Sequence, residues 1–512
     1  MKQRSVFKAF FSVTGVILIA KLLGFAKQSA AAALFGATLE TDLITLSQGV
    51  LADIQYVLAQ VLLTAFTSVY IHMRESNEAE TRRFISDTVK SFTAMILAVS
   101  ALAFLASPLI ARGIAPSYTP DTSSRLVGYI RLYVPLLPLF VWMAVFQSLL
   151  NANERFVPGE MVSINQSVLF LLVVFLFREK LGARSMILAF FVFTVWNLLF
   201  LGVLSRKYWS FRLSGNPFAN PHVRELLHMV APLLLGYSMI YINQQVDKIL
   251  SSGLGDGAVT ALGYGAVLSN LVSTFIVSFC SILFTYVTTA ISKSAHEEAA
   301  GLAVRAASLL ILLFLPISIL TILCAKDIVT IAFGRGAFDA AAVETSAYAL
   351  MGYGFIFVPL VLRELFSRFQ YGYQETRRPM VNSSIGIVFN MILSILLSRR
   401  WGVLGIAAAS SVSVCVCGVL NLLTSRKQNA ALDFKPLLRQ LPFLLLGGAA
   451  CLLIAYFGNH VLLRNSSPFL RFPAVAFCGL AGYLLLTSPV LVKLLRGGLI
   501  PRGSGGDASQ DC

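Results

Sequence analysis

The stretch Ala20-Lys21-Leu22-Leu23-Gly24-Phe25-Ala26-Lys27-Gln28 sets two lysines inside an apolar run, and the next run opens on Thr41-Asp42 and carries Asp53, Gln55, Gln60 and Thr67. On a helix each residue turns the chain by roughly 100°. Asp42, Gly49, Asp53, Gln60 and Thr67 then fall close to one line, a polar stripe on an otherwise apolar helix. A charged side chain in hydrocarbon is costly, so such residues face a partner or a watery cavity. The stripe reads as one wall of a solvated cavity inside a membrane protein. Its candidate substrate-binding groups are Lys21, Lys27, Asp42, Asp53, Gln55 and Gln60. The alternative for the two lysines is a place near the helix ends, with their ammonium groups snorkelling to the headgroups.

The chain as a whole fits that solvent. It is 57% hydrophobic and 12% charged, against about 25% charged for a soluble domain. Its apolar runs have the length of a bilayer-spanning helix, and hydropathy separates about fourteen of them. The expected fold is an all-α integral membrane protein. The net charge of +16 has a topological cause. With the N-terminus cytoplasmic, inner loops hold roughly 25 Lys and Arg and outer ones roughly 14. Arg82-Arg83, Arg206-Lys207, Arg377-Arg378 and Arg426-Lys427 are inner clusters. The charge is therefore no nucleic-acid footprint, and an even span count places both termini in the cytoplasm. The first apolar run is longer than a signal-peptide core and leads into more membrane chain, so it is expected to stay.

Of the seven cysteines, all but Cys512 lie in apolar runs, where Cys acts as a small hydrophobe. Cys415 and Cys417 point to different faces of one helix, and the histidines are scattered, so no metal site is expected. No Walker A loop, nucleophile elbow, His-Glu-x-x-His helix or redox Cys pair occurs. The chain is not expected to be an enzyme, and no cofactor is expected.

An internal repeat organises the chain. Ser205-Arg206-Lys207 returns as Ser425-Arg426-Lys427, Glu154 and Pro158 return as Glu375 and Pro379, and Phe35-Gly36 is answered by Leu254-Gly255. The interval is about 220 residues each time; Lys27 and Lys248 share it. The expected plan is two pseudo-symmetric six-helix bundles, 1–222 and 223–428, two further transmembrane helices in 429–496, and a disordered tail, 497–512. Six is even, so both bundles have one topology, as in transporters with parallel repeats. The seventh span carries Asn243, Gln244, Asp247 and Lys248. With Asn270 of the eighth, these are candidates for a second-half cavity or ion site; an Asp247–Lys248 ion pair at the helix end is the structural alternative. Arg363, Glu364 and Arg368 suit either a salt bridge within one helix or a gating role for the two arginines.

Three segments of the second half, Phe333-Gly334-Arg335-Gly336-Ala337-Phe338-Asp339, Arg363 to Arg368 and Gln374-Glu375-Thr376-Arg377-Arg378-Pro379, resemble the signature of the MurJ/MviN family. Leu150-Asn151-Ala152-Asn153-Glu154-Arg155-Phe156-Val157-Pro158, Gly24-Phe25, Phe35-Gly36-Ala37 and Thr41-Asp42 are similar to its first-half segments. These are bacterial lipid II flippases within the multidrug/oligosaccharidyl-lipid/polysaccharide exporter superfamily. The family carries Arg at the positions of Lys21 and Lys27, where it is implicated in binding the lipid-linked pyrophosphate; Lys keeps the charge and loses the bidentate fork. It carries Arg at Gln55, Glu at Gln60 and an Arg near Val267.

The resemblance implies a flippase that moves an undecaprenyl-pyrophosphate-linked glycan precursor, lipid II-like, from the cytoplasmic to the outer leaflet by alternating access. Lys21 and Lys27 would meet the pyrophosphate as point charges. Asp42, Asp53 and Gln60 would hydrogen-bond sugar, peptide or a coupling ion. A coupling cation, Na⁺ or H⁺, or the membrane potential, worth ~2.3 kcal/mol per charge per 100 mV, would drive it. Its partners are the lipid-linked substrate and membrane lipids, its location the bacterial inner membrane; oligomeric state is left open. Two alternatives stand: a flippase for another lipid-linked polysaccharide unit, and a cation-coupled drug exporter of the same superfamily, for which Asp42, Asp53 and Asp247 speak.

Overall fold

The computed structural model describes residues 2–74, 78–209 and 216–496. The tail 497–512, expected to be disordered, lies outside the described residues. All regular structure among them is helical. The chain forms two compact units: Met1–Thr260 with Arg335–Ala342, and Ala261–Gly334 with Val343–Cys512. The first contains α1 (Lys2–Phe35), α2 (Leu39–Arg74), α3 (Glu78–Leu105), α4 (Ser107–Ile114), α5 (Pro120–Tyr133), α6 (Leu137–Ala152), α7 (Val157–Leu181), α8 (Ser185–Ser205) and α9 (Pro221–Ser252). The second contains α10 (Ala258–Ser292) beyond its first turn, then α11 (His296–Leu323), α12 (Ala325–Phe333), α13 (Ala340–Gly354) beyond its first residues, α14 (Phe357–Gly372), α15 (Arg377–Gln428), α16 (Lys435–Phe457) and α17 (Pro468–Arg496).

Local chemistry sets the helix starts. Thr38 caps α2: its hydroxyl accepts the Thr41 N–H at 3.4 Å, and the Thr41 hydroxyl accepts the Thr38 N–H at 2.8 Å, the reciprocal arrangement of a capping box. Thr119 and Asn220 cap α5 and α9, each followed by proline at the first helical position, where a missing N–H costs nothing.

The outer surface is that of a chain dissolved in lipid. Phe477 and Leu485 of α17 are each 75% exposed; in water such residues would form an aggregation face. Among the described residues ten helices are long and apolar enough to cross a membrane, and the pair α13–α14, bent by 43°, makes eleven. This is a multi-pass membrane protein, but those helices do not establish the expected count of fourteen. One cause is that two apolar runs, 157–205 and 377–428, are each counted once although the chain reverses inside them. In α15 the Asn382 side-chain amide donates to the Asn421 side-chain Oδ1 at 2.8 Å, a contact only two antiparallel arms can make. Helix α9, 32 residues long, stands outside that set.

The repeat is written into the backbone. The reversals turn on Gly182 (φ 54°, ψ −138°) and Gly402 (φ 55°, ψ −132°). Glu154 and Gln374 both take left-handed conformations, φ 59° and 60°. Around them the same helix stop recurs: the Arg155 N–H reaches back to the Leu150 carbonyl at 2.8 Å and the Glu375 N–H to the Gln370 carbonyl at 3.0 Å, the long bond of a Schellman cap. An Asn–Asn bridge ties the paired arms in each case, Asn165 to Asn197 at 3.1 Å and Asn382 to Asn421. Compact packing follows a different line from the repeat. Helix α9, counted from the repeat into the bundle beginning at 223, belongs by packing to the first unit, against α2, α3 and α4.

Gly182 gives a clean test. An added methyl would meet nothing within 4 Å, so its whole cost is the backbone conformation, which L-residues rarely adopt. Gly182→Ala is expected to destabilise the protein by ~1–3 kcal/mol. Thermal unfolding in detergent measures it; an unchanged midpoint would show that the turn relaxes freely.

Candidate functional site

Helix α2 presents its polar stripe as expected, and α9 covers part of it. A Cβ at Gly49 would lie 2.6 Å from the Lys248 ammonium nitrogen, so the missing side chain leaves room for that group. One turn on, Asp53 pairs with Lys248 at 3.5 Å and accepts a hydrogen bond from the Gln245 amide. One turn further, Tyr56 and Tyr241 lie ring to ring, centroids 6.0 Å apart. Numbers rise along α2 as they fall along α9, so the helices run antiparallel with a polar seam between them. The Asp53 and Lys248 side chains keep 16% and 23% of their surface exposed. The seam is not fully closed.

Lys248 thus finds its counter-charge on α2, where the sequence suggested its neighbour Asp247. Asn243 and Asp247 are half-buried, and Gln244 is exposed. Gln245, which sequence reasoning passed over, makes the direct contact to Asp53.

Asp42 has a different use. It is fully buried, and its Oδ1 accepts the Thr260 N–H at 2.7 Å. Thr260 lies in the first turn of α10, where unpaired N–H groups and the helix dipole favour an anion. That anchoring role takes Asp42 out of the set of cavity-facing groups. Tyr118, between α4 and α5, shares the setting: burial pushes its hydroxyl well above the usual value, and the carboxylates of Asp42 and Asp256 push the same way.

The two lysines of α1 part company. Six residues put them about 120° apart on a straight helix, and α1 runs unbroken past Gly24. Lys21 is exposed. Lys27 is half-buried, its ammonium 5.4 Å from the centre of the Phe170 ring of α7, a cation–π contact. Gln55 and Gln60 are half-buried on α2.

In the second unit Asn270 is exposed. Arg363 and Arg368 converge on one carboxylate, Glu364, at 2.6 and 3.3 Å. The salt bridge expected from the spacing is present, and two guanidiniums on one carboxylate leave a net positive site. Among the described residues no group of three or more His, Cys, Asp or Glu is placed to hold a metal ion.

Two clusters were invisible to sequence spacing. Glu40 gathers Arg125, Tyr129 and Arg184 from distant parts of the chain. The Gly334-Arg335-Gly336 turn docks on the end of α1: the Ala337 N–H fills the Ala33 carbonyl at 2.8 Å, and the Arg335 guanidinium donates to the Ser29 hydroxyl.

The profile of the family described as lipid II flippase MurJ matches residues 31–471. A probable lipid II flippase MurJ of Rhizobium tropici is 25% identical over 435 residues, covering 80% of this chain and 79% of its own. The structure of a lipid II flippase MurJ in an inward closed conformation superposes with a TM-score of 0.79 at 18% identity, over 94% of this chain and 99% of that one. An inward-facing multidrug resistance transporter of the MATE family gives a TM-score of 0.67 at 13% identity over 83% and 99%. These last two likenesses speak for the fold; the family profile, spanning most of the sequence, decides membership. The chain belongs to the MurJ lipid II flippase family.

Proposed function

We propose that this protein flips an undecaprenyl-pyrophosphate-linked glycan precursor of the lipid II type across the bacterial inner membrane, from cytoplasmic to outer leaflet, by alternating access. The observation that carries this reading is the family match over residues 31–471. The physics of the cargo fits a membrane protein with charged helix faces: a pyrophosphate and a glycan need solvation that hydrocarbon cannot give, while the polyprenyl chain stays in lipid. Both termini are placed in the cytoplasm by the Lys and Arg bias. A Na⁺ or H⁺ gradient or the membrane potential would drive the cycle. The protein binds and moves its cargo and has no chemical step.

Lys27 is the residue we assign to the pyrophosphate. Its cation–π contact is replaceable by a stronger anion, whereas Asp53 and Lys248 already neutralise each other. That pairing also weighs against a cation exporter, since it removes one of the carboxylates such a carrier would use. The lysines standing where the family has arginine leave a second glycan-unit cargo as the alternative.

Depletion of the protein in its native cells, with lipid-linked precursors assayed on each membrane face, tests the reading. Undecaprenyl-linked muropeptide should build up on the cytoplasmic side. Build-up of a different lipid-linked sugar would replace the cargo, and no build-up would overturn flipping. In complementation, Lys27→Glu should abolish rescue by reversing the charge, and Lys27→Arg should keep it, since Arg supplies charge and fork together.

A further inference from the structure

In the second unit, the starts of α11 and α16 and the end of α17 enclose a cavity of about 370 Å³. That volume suits a small ligand or a headgroup. The lining carries both signs, Arg305 and Lys493 against Glu297 and Asp433, over a floor of apolar residues such as Val304. Arg305 folds back on its own helix, Nε donating to the Gly301 carbonyl at 3.2 Å. Asp433 accepts the Lys435 N–H at 3.0 Å, which fixes its carboxylate at the start of α16.

Gln440 also lines the cavity and is only 9% exposed. Beside the cavity, Leu438, Leu441 and Leu445 of α16 are 63%, 45% and 62% exposed. Their i, i+3, i+7 spacing makes one apolar stripe that begins at the cavity's end of the helix and runs away from it.

These features select among ligands. A purely anionic group would meet two carboxylates, and a purely cationic one an arginine and a lysine. A zwitterion with a phosphate and an N–H-bearing ammonium satisfies both signs, its N–H groups donating to the carboxylates. The cavity opens at the ends of membrane-crossing helices, beside a stripe able to receive acyl chains. We propose that it binds the headgroup of an aminophospholipid of the phosphatidylethanolamine type. The phosphate lies against Arg305 and Lys493, and the ammonium against Glu297 and Asp433. This site is separate from the cargo reading and stands or falls without it.

Native mass spectrometry of the full chain, released from mixed micelles, tests this with phosphatidylethanolamine, phosphatidylcholine and phosphatidylglycerol, and with soluble glycerophosphoethanolamine as competitor. Phosphatidylethanolamine should be retained at least fivefold over the other two lipids. The choline lipid matches the charges but has no N–H, and the glycerol lipid has no cation. The double variant E297Q/D433N should bring retention down to the choline level. The exposed Lys493→Ala, which leaves the packing intact, should weaken retention severalfold. Equal retention of all three lipids, or a preference that survives E297Q/D433N, would overturn the proposal. Full displacement by glycerophosphoethanolamine would make the site one for a soluble ligand and overturn the lipid assignment.

Discussion

Replacing Lys248 by methionine is expected to destabilise the protein by about 2–3 kcal/mol, and adding Asp53→Asn should restore most of that loss. The effect follows from an asymmetry between breaking a pair and removing it. Taking one partner from a buried ion pair leaves a charge without compensation, at a cost of about 3–5 kcal/mol; replacing both by neutral groups of similar shape is often neutral. The Asp53 and Lys248 side chains retain 16% and 23% exposure, so water softens the penalty below that range. Asp53 also keeps the Gln245 amide in the single variant, a further partial compensation. The double-mutant cycle, read by thermal unfolding in detergent, should therefore show a coupling of about 2–3 kcal/mol. A cycle that adds without coupling would mean the pair is a crystal-like coincidence of two wet side chains. Gly49→Ala is expected to be mild, well under the cost of losing the charge. Its new methyl would collide only with the tip of a flexible lysine, which can swing by one rotamer.

What the sequence made legible here was periodic. The line of Asp42, Gly49 and Asp53 followed from 100° per residue, and the structure puts Gly49 and Asp53 against Lys248 of one neighbouring helix. The repeat followed from matched residues at one interval, and it returns as matched torsions at Gly182 and Gly402. Partner choice was not periodic and was missed. Asp247 and Lys248 are adjacent, but Lys248 reaches across to Asp53 of α2, a contact that depends on which helix packs against α9. The Arg363–Glu364–Arg368 group was legible because i, i+4 spacing brings two of its members together on one helix. Asp42 looked like its stripe-mates, yet its use depends on where the start of α10 lies, and no local pattern records that. The Glu40 cluster has the same character: its members come from α2, α5 and the turn before α8, joined by tertiary packing alone. The division of the chain at 260 was hidden for the same reason, since α9 repeats α1 in sequence while its polar seam binds it to α2.

The largest single-residue effect is expected at Gly336. Helix α1 ends at Phe35, so its last carbonyls lack intrahelical partners. The carbonyl of Ala33 is filled from a distant segment, by the Ala337 N–H at 2.8 Å. For that bond to form, the backbone of residues 335–337 must press onto the helix end. Gly336 allows it twice over. Its φ is 62°, which glycine adopts without strain, and a Cβ there would lie 2.1 Å from the Ala33 carbonyl oxygen. That neighbour is backbone, fixed by the helix, so nothing flexible can yield. Gly336→Ala should therefore undock the turn, with the Arg335–Ser29 bond and the Ala337–Ala33 bond lost together, at a cost of about 3 kcal/mol. Hydrogen exchange would report it locally, as faster exchange at the Ala337 amide, and thermal unfolding globally. The control is Gly128→Ala in α5, where an added methyl meets nothing within 4 Å and the backbone is helical; that change should stabilise by ~0.5–1 kcal/mol. If Gly336→Ala instead left both the Ala337 amide protected and the unfolding midpoint unchanged, the turn would have to seat on α1 through side chains alone. The close backbone approach that makes glycine necessary here would then have no part in holding the segment.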